Sequence, residues 1–261
     1  MRILFVGDIV GRPGRRAVAT LLPCISEREG PFDFVVVNGE NSAAGKGLTK
    51  RIVDHLLGLN IDAITTGNHV WWQREILDFI DDVPNLIRPA NFPKGIPGRG
   101  WTVVSNASGL KLGVINMSGQ VYMDNYDNPF HALDLALTEI EEQTHCILLD
   151  FHAEATAEKI AMGWYADGRV SAVVGTHTHV QTADERVLPG GTAYITDVGM
   201  TGPHDSVIGT EKDPVLHHFT TMLPIRHEVA TGDVILCGVV IELDAVTGRA
   251  DSIRRIRLPL N

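Results

Sequence analysis

Short apolar segments alternate with amphipathic ones along the chain, a pattern that predicts alternating β-strands and α-helices. Six apolar segments have the length of buried strands, namely residues 2–7, 33–38, 61–66, 145–151, 170–174 and 192–197. Helical spacing, with Pro13 in a first turn and Thr49 as a cap, predicts helices over residues 13–29, 50–59, 73–82, 128–143, 154–165 and 213–222. Antiparallel strands are predicted at 101–105 with 110–116 and at 234–243 with 250–258. The predicted fold class is therefore α/β with mixed sheets.

Residues 1–261 are expected to form a single domain, because the chain has no internal repeat, low-complexity tract or Ser/Gly linker. The three cysteines, Cys24, Cys146 and Cys237, form no CxxC pair and no zinc-finger spacing. We expect them to be small core side chains of a reduced, cytoplasmic protein. The Pro- and Gly-rich segment 84–100 is predicted to be irregular, and its apolar positions hint at a self-contact. A homo-oligomer is therefore one candidate, but the sequence does not determine the oligomeric state.

The charge balance argues against two classes of partner. The chain has 22 Lys and Arg against 32 Asp and Glu, a formal net charge of -10. Proteins that bind nucleic acids generally carry a basic surface, so stable binding of DNA or RNA is not expected. No segment approaches the roughly 20 continuous apolar residues of a membrane span, so no membrane partner is expected. A small-molecule substrate is compatible with both observations.

Polar clusters follow immediately after five of the predicted strands. In an α/β sheet, ligands bind beyond the carboxyl ends of the strands, so neighbouring strands would bring these clusters to one edge. Glycines in most of them allow tight turns and close approach of the backbone. The clusters are Gly7-Asp8, Gly39-Glu40-Asn41, Gly67-Asn68-His69, Phe151-His152 and Gly175-Thr176-His177-Thr178-His179.

The side chains of these clusters indicate a metal site. Two carboxylates, two amides and three imidazoles, with no thiolate, suit Mn, Fe or Zn better than a soft metal. Seven such side chains exceed the needs of one ion, so we infer two ions, with Glu40 as the bridging carboxylate. In extended backbone, His177 and His179 face the same side and serve one ion each. The candidate ligands are Asp8, Glu40, Asn41, Asn68, His152, His177 and His179.

The charge of such a site favours hydrolysis of a phosphodiester. Two divalent ions, two carboxylates and one bridging hydroxide leave a single positive charge, which a phosphodiester neutralises. Two-metal centres with ions about 3.5–4 Å apart generate hydroxide at neutral pH and stabilise an in-line displacement. His69, next to the candidate ligand Asn68, is placed to protonate the leaving alcohol as general acid.

Taken in order, these motifs resemble those of the calcineurin-like metallophosphoesterases. That superfamily has an Asp after the first strand, an acidic bridging residue after the second, Gly-Asn-His after the third, a lone His, and Gly-His-x-His. The chain shows GD at 7–8, GEN at 39–41, GNH at 67–69, FHAE at 151–154 and GTHTH at 175–179. It departs from the superfamily at Asp8-Ile9-Val10, where Asp-x-His is usual, and at Glu40, where Asp is usual. Asn41 can fill the place of the missing histidine.

These departures, with GDIVGRPGR (7–15), NGENSAAGKG (38–47), TTGNHVW (65–71) and DVGMTGP (197–203), resemble the bacterial YmdB-like branch. The resemblance implies a four-layer α/β/β/α sandwich with two mixed sheets and a di-iron or di-manganese centre. Zn remains a further candidate from the donor set alone. The resemblance also implies phosphodiesterase activity on cyclic nucleotides, preferably 2′,3′-cyclic and also 3′,5′-cyclic. By position, one metal takes Asp8, Glu40, Asn41 and His179, and the other takes Glu40, Asn68, His152 and His177. The sequence alone leaves open which of His177 and His179 serves which metal.

Other interpretations stay open at this point. Asp8 alone could cap a helix, Glu40 could be a solvated loop charge, and each Asn could be a turn residue. Two other functions are a phosphomonoesterase or nucleotidase and a regulatory scaffold that retains its metals.

Four side chains near these motifs are weaker candidates for contacts with the substrate. Trp71 and Trp72 are expected to pack in the core or at the rim of the site, and Lys46 to be solvated. His204, which follows the predicted strand ending at Asp197, is the less favoured candidate to face the site.

Overall fold

Two six-stranded sheets, each mixed, form the centre of the computed structural model, which describes residues 1–261. The first sheet contains β1 (Arg2–Val6), β2 (Phe34–Asn38), β3 (Ala63–Thr65), β10 (Gly202–Pro203), β11 (Val234–Leu243) and β12 (Ala250–Pro259). The second contains β4 (Trp101–Ser105), β5 (Lys111–Ser118), β6 (Ile147–His152), β7 (Ala172–Thr176), β8 (Arg186–Val187) and β9 (Ala193–Ile195). The helices are α1 (Gly11–Glu29), α2 (Lys50–Leu57), α3 (Pro129–Ile140), α4 (Thr156–Ala166) and α5 (Lys212–Thr221).

The strand order gives the second sheet a parallel centre with antiparallel edges, whereas the first sheet is parallel on one side, out to its edge strand β3, and antiparallel on the other. In the first sheet the order is β10-β11-β1-β2-β3, with β12 also paired to β11, and β1, β2 and β3 are parallel. In the second the order is β4-β5-β6-β7-β9-β8, with β5, β6, β7 and β9 parallel. The long antiparallel pair β11 and β12 and the hairpin of β4 and β5 confirm the predicted hairpins.

Alternation along the strands builds four layers. In β1, Leu4 points into a core shared with α1 and α2, whereas Phe5 points into the core between the two sheets. In β6, Leu148 joins that central core and Leu149 packs towards α3 and α4. Strands buried on both faces read as continuous apolar segments. The predicted four-layer α/β/β/α sandwich is therefore confirmed.

Local signals placed most element ends correctly. The Thr49 side chain accepts a hydrogen bond from Ile52 N at the start of α2, as its position predicts. Asn128 caps α3, with Pro129 in its first turn. Gly30, which ends α1, has φ of 87°, a backbone conformation open chiefly to glycine.

Three expectations differ from the structure. Residues 73–82 form two 3₁₀ turns, Arg74–Asp78 and Ile80–Asp82, rather than an α-helix. The two-residue strands β8 and β10 were not predicted, since such short strands carry no period of their own. Cys24 is exposed on α1 and not a core side chain, whereas Cys146 and Cys237 are buried as expected. Among the helices, none has the length and apolarity to traverse a lipid bilayer.

Candidate metal centre

The polar clusters predicted to converge do meet, at the edge where β1, β2 and β3 of one sheet and β6 and β7 of the other end. All seven candidate ligands lie there, connected by contacts of about 3 Å. Four of them are buried and three are half-buried. They are Asp8, Glu40, Asn41 and His152, and then Asn68, His177 and His179.

His152, the last residue of β6, uses its two ring nitrogens differently. Its Nδ1 is 2.9 Å from Oγ1 of Thr176, and that hydroxyl donates to Oδ1 of Asp150 at 2.7 Å. Because the hydroxyl proton is engaged by Asp150, Nδ1 of His152 is the donor to Thr176. Nε2 of His152 lies 3.1 Å from Oε1 of Glu40 and 3.0 Å from Oδ1 of Asn68. In the neutral ring, the Nε2 lone pair therefore faces the cluster.

His177 shows the same division of roles. Its Nε2 is 3.1 Å from Oε2 of Glu154, and its Nδ1 is 3.1 Å from Nε2 of His152. Metal-binding histidines commonly donate their outer N–H to a carboxylate, which fixes the tautomer. Sequence reasoning missed Glu154 as that partner, although it ends the FHAE motif two residues after His152.

His179 and Asn41 form the opposite side of the cluster. Nδ1 of His179 is 2.8 Å from the carbonyl oxygen of Ile208, which makes Nδ1 the donor and leaves Nε2 facing inward. That Nε2 is 3.1 Å from Nδ2 of Asn41, which also donates to Oε1 of Glu40 at 3.1 Å. A half-turn of the Asn41 amide about χ2 would present its oxygen there, the amide atom that a cation binds.

The two carboxylates occupy the middle of the cluster. Oδ2 of Asp8 accepts the His177 backbone N–H at 3.2 Å, but Oδ1 of Asp8 is buried without any hydrogen-bond partner. A buried charged oxygen without a partner is rare, because its desolvation is uncompensated. Ligand atoms of Glu40, His152 and His177 lie within 4.8 Å of one another. A cation in this space would engage the Glu40 carboxylate and the inward ring nitrogens of His152 and His177.

Charges in the cluster shift the pKa values strongly. Burial opposes ionisation of Glu40, but the adjacent His152 and then His69 hold the Glu40 pKa well below its ordinary range. Burial alone would lower the pKa of His152, yet Glu40 and then Asp8 raise it to about 9. Burial and the charge of His152 lower the pKa of His177 to about 3. Burial raises the pKa of Asp8. Without a cation, one proton is thus held between His152 and Glu40.

His69 stands at the mouth of the cluster, with its side chain 23% exposed. Its backbone N–H donates to Oε2 of Glu40 at 3.2 Å, and its Nδ1 is 2.9 Å from Oδ1 of Asn41. These contacts orient the ring through its Nδ1 side. Nε2 is the remaining nitrogen and the one available to exchange a proton with a ligand.

A buried polar layer lies beneath the cluster and joins the two sheets. Its centre is Asp150 of β6, whose Oδ2 accepts from Nδ2 of Asn38 at 2.9 Å and from the Thr65 hydroxyl. Burial raises the pKa of Asp150 to about 6, against the opposing charge of His152. Sequence reasoning missed Asp150, although a charge inside the apolar segment ILLDFH was a signal.

The four weaker candidates for substrate contact lie in different surroundings. Trp71 packs against the core near Phe92, as expected. Trp72 is 60% exposed at the rim, 5.9 Å from the His69 ring between centroids, with the ammonium of Lys46 4.4 Å from the Trp72 ring centroid. His204 contacts the Met200 carbonyl oxygen and makes no contact with the seven clustered side chains.

The donor set fits a metal ion. Three inward imidazole nitrogens and two carboxylates, without thiolate, suit hard or borderline cations. Each inward nitrogen belongs to a ring whose outer nitrogen is held by a separate group, so the site is preorganised for a cation.

Comparison with known proteins agrees with this geometry. The model of the YmdB-like protein family matches residues 4–256. A protein of Bacillus subtilis strain 168, named 2′,3′-cyclic-nucleotide 2′-phosphodiesterase, is 55% identical over 256 residues, which are 98% of this chain and 96% of the relative.

Two solved structures share the whole fold. A hypothetical protein of Thermus thermophilus superposes with a TM-score of 0.92 at 40% identity, covering 99% of each chain. A phosphatase of Mycoplasma pneumoniae superposes with a TM-score of 0.92 at 33% identity, covering 99% of this chain and 93% of that one. These matches confirm the resemblance found in the motifs, and the chain belongs to the YmdB-like family.

Proposed function

We propose that the protein is a metal-dependent phosphodiesterase that hydrolyses 2′,3′-cyclic nucleotides. The observation that carries this proposal is the convergence of seven metal-type side chains at one edge of the two sheets, where Oδ1 of Asp8 is buried without a hydrogen-bond partner. Family membership and the named activity of the Bacillus subtilis relative support the reaction class, a phosphoric ester hydrolysis. The substrate preference is carried over from that 55% identical relative.

The ligand atoms divide into two groups, which supports two ions. We assign one ion to Asp8, Glu40, Asn41 and His179, because Nε2 of His179 lies beside Asn41. We assign the other to Glu40, Asn68, His152 and His177, because Nδ1 of His177 and Oδ1 of Asn68 both lie beside Nε2 of His152. When bound, the two ions lower the pKa of water and neutralise charge on the phosphoryl oxygens.

His69 is assigned to the leaving group. Water adds one oxygen to phosphorus, the bond between phosphorus and the ribose O2′ breaks, and that oxygen needs a proton as it departs. Nε2 of His69 supplies the proton: once the Asn41 oxygen is turned towards the cation, Nδ2 of Asn41 donates to Nδ1 of His69, so the ring proton is on Nε2, the nitrogen free to reach the substrate. The products are a 3′-phosphate and a free 2′-hydroxyl, so atoms and charge balance.

Glu40 also fixes the position of His69, the proton donor, relative to the candidate ligands. Glu40 accepts the His69 backbone N–H, so the same carboxylate that lies between the two groups of ligands fixes the donor relative to them. A displacement of Glu40 would therefore move both the cluster and His69. The position of the candidate ligands and the position of the proton donor therefore both depend on the buried side chain of Glu40.

The test is turnover by purified protein that has been stripped of metal and reloaded with Mn²⁺. We expect hydrolysis of 2′,3′-cyclic AMP to 3′-AMP, slower hydrolysis of 3′,5′-cyclic AMP, and preference for bis-p-nitrophenyl phosphate over p-nitrophenyl phosphate. A strong preference for the monoester would overturn the diesterase assignment in favour of a phosphomonoesterase, an alternative supported by the name phosphatase given to the Mycoplasma pneumoniae structure.

Two histidine variants separate catalysis from scaffolding. His69→Ala is expected to keep fold and metal content but to lower kcat by about 10²–10⁴-fold, the usual contribution of a general acid. His55→Ala, on the exposed face of α2, is the matched control and should leave kcat unchanged. Full turnover by His69→Ala would remove His69 from the mechanism. A parent protein without turnover but with bound metal would favour the regulatory scaffold.

A further inference from the structure

The segment DVGMTGP at 197–203 runs beside the loop that carries His177 and His179. Val198 N–H donates to the Gly175 carbonyl at 2.9 Å, and Met200 N–H donates to the His179 carbonyl at 3.1 Å. One residue later, Thr201 N–H donates to the carbonyl of Asp8 at 2.8 Å. One strip of backbone thus ties the loop of both candidate histidines to Asp8, just beyond the end of β1.

The histidine loop has an unusual backbone, and not the extended one expected from the sequence. His177 has φ of 95° and His179 has φ of 67°, whereas residues with side chains rarely adopt positive φ. Such conformations persist only where surrounding contacts over-determine them. Thr178, the residue between the two histidines, is therefore the position at which an external contact can hold both of them.

That contact comes from Asp197. Its Oδ2 accepts from the Thr178 hydroxyl at 2.7 Å and from the Thr178 N–H at 3.2 Å, and its Oδ1 accepts from Gly199 N–H at 2.8 Å. The ammonium of Lys159, on α4, lies 2.7 Å from the same Oδ2. Asp197 is fully buried and Lys159 is 1% exposed.

A buried ion pair of this kind is weak evidence of stability alone, because removing both charges from water offsets their attraction. Here the charges have a geometric use. Lys159 neutralises Asp197, and hydrogen bonds from Thr178 and Gly199 engage the carboxylate. Asp197 is thereby directed towards the histidine loop and does not reach the cluster of candidate ligands.

We propose that Lys159 and Asp197 are positioning residues that hold Thr178, and through it His177 and His179, in the backbone conformation that metal binding requires. This inference rests on the proposed metal-dependent function. It gives the DVGMTGP segment a role, the alignment of the histidine loop with Asp8.

Thr178 offers the sharpest test, because valine has the shape of threonine without its hydroxyl. Mn²⁺ affinity of the metal-free protein is measured by calorimetric titration, and amide hydrogen exchange of residues 177–179 is measured without metal. We expect Thr178→Val to lose amide protection and to weaken Mn²⁺ binding by about 10–100-fold, the usual effect of removing a group that orients the ligands of a metal. Thr178→Ser, which keeps the hydroxyl, should restore both properties to within about threefold of the parent.

Lys159→Met removes the buried cation while keeping most of the side-chain length. We expect the same loss of protection and the same weakening of Mn²⁺ binding. The control is Lys212→Met, which removes the exposed ion pair with Asp205 and should change neither property. If Lys159→Met does not fold, Thr178→Val decides, because it leaves the ion pair intact.

The outcomes separate the two proposals. If Thr178→Val binds Mn²⁺ within about threefold of the parent and keeps its amide protection, the positioning role is wrong. If the parent itself binds no Mn²⁺ while Thr178→Val still loses protection at 177–179, the proposed metal-dependent function is wrong and the hold of Asp197 on the loop remains supported.

Discussion

Gly67 gives the most demanding test of the assembled centre, because its missing side chain is what leaves room for the ligands. A Cβ built on Gly67 would lie 2.3 Å from Oε2 of Glu40 and 2.3 Å from Nε2 of His152. Gly67 has no positive φ, so alanine fits its backbone and only the added methyl group acts. The change Gly67→Ala therefore tests the cluster and not the conformation of the turn.

The size of the effect follows from these two distances. Cβ atoms essentially never approach other heavy atoms below 3.0 Å, so each contact must open by about 0.7 Å. Metal sites tolerate deviations of about 0.2 Å in ligand distance. If the backbone of Gly67 moved instead, it would carry the next residue, Asn68, with it. We therefore expect Mn²⁺ affinity to fall by at least about 100-fold, more than is usual when only a group that orients the ligands is changed.

The assay is Mn²⁺ titration of the metal-free variant, followed by turnover of 2′,3′-cyclic AMP at the highest soluble Mn²⁺ concentration. Gly58→Ala is the control, because Gly58 ends α2 with helical backbone and its Cβ would come no closer than 3.2 Å to another heavy atom, the Asp54 carbonyl oxygen. A cooperative thermal transition without metal establishes that both variants fold. A folded Gly67→Ala protein with metal affinity within about threefold of the parent would refute the reasoning.

Three further predictions concern metal uptake and stability. Dialysis against a chelator should abolish turnover, and saturating Mn²⁺ should restore it and raise the free energy of unfolding, by about 2.7 kcal/mol at a hundredfold excess over Kd. A ligand nitrogen must be unprotonated, and His152 is protonated below its pKa of about 9. Mn²⁺ affinity measured by titration should therefore rise about tenfold per pH unit up to that pKa and level off above it. Leu56→Ala, a fully buried change on α2, should cost about 2–5 kcal/mol in urea unfolding while Mn²⁺ affinity is retained.

The fold was predictable in outline because its strands are buried on both faces. Continuous apolar segments such as FVVVN in β2 carry a strong signal, and glycine or proline marks most of their ends. The helix predicted over 73–82 was wrong, because apolar residues at helical spacing do not distinguish an α-helix from two 3₁₀ turns. There, tertiary packing of Ile76 and Ile80 into the first core decides the conformation.

The clustered residues were predictable for a related reason. Each one lies at or just beyond the end of a strand, so a local pattern and the rule for sheet edges are enough to bring Asp8, Asn68 and His152 together. The pairing of nitrogens was not predictable, because it depends on which group holds the outer nitrogen of each ring. For His179 that group is the carbonyl of Ile208, a contact that no sequence pattern encodes.

Asp197 belongs to a motif found in the sequence, but its contact with Lys159 and the role of the pair were not predictable, and the reason is physical. Lys159 lies on a helix among apolar neighbours and Asp197 follows a short strand, so each alone looks like an ordinary charge. Their 2.7 Å contact exists only when α4 packs on β7 and the segment after β9 passes beside it. Ligands are thus placed by local chain geometry, whereas the groups that orient them are placed by tertiary packing. If the pair has the proposed positioning role, a sequence that keeps every candidate ligand but loses this buried pair would lose the geometry, which makes Lys159 and Asp197 a more discriminating test of a working centre than the ligands themselves.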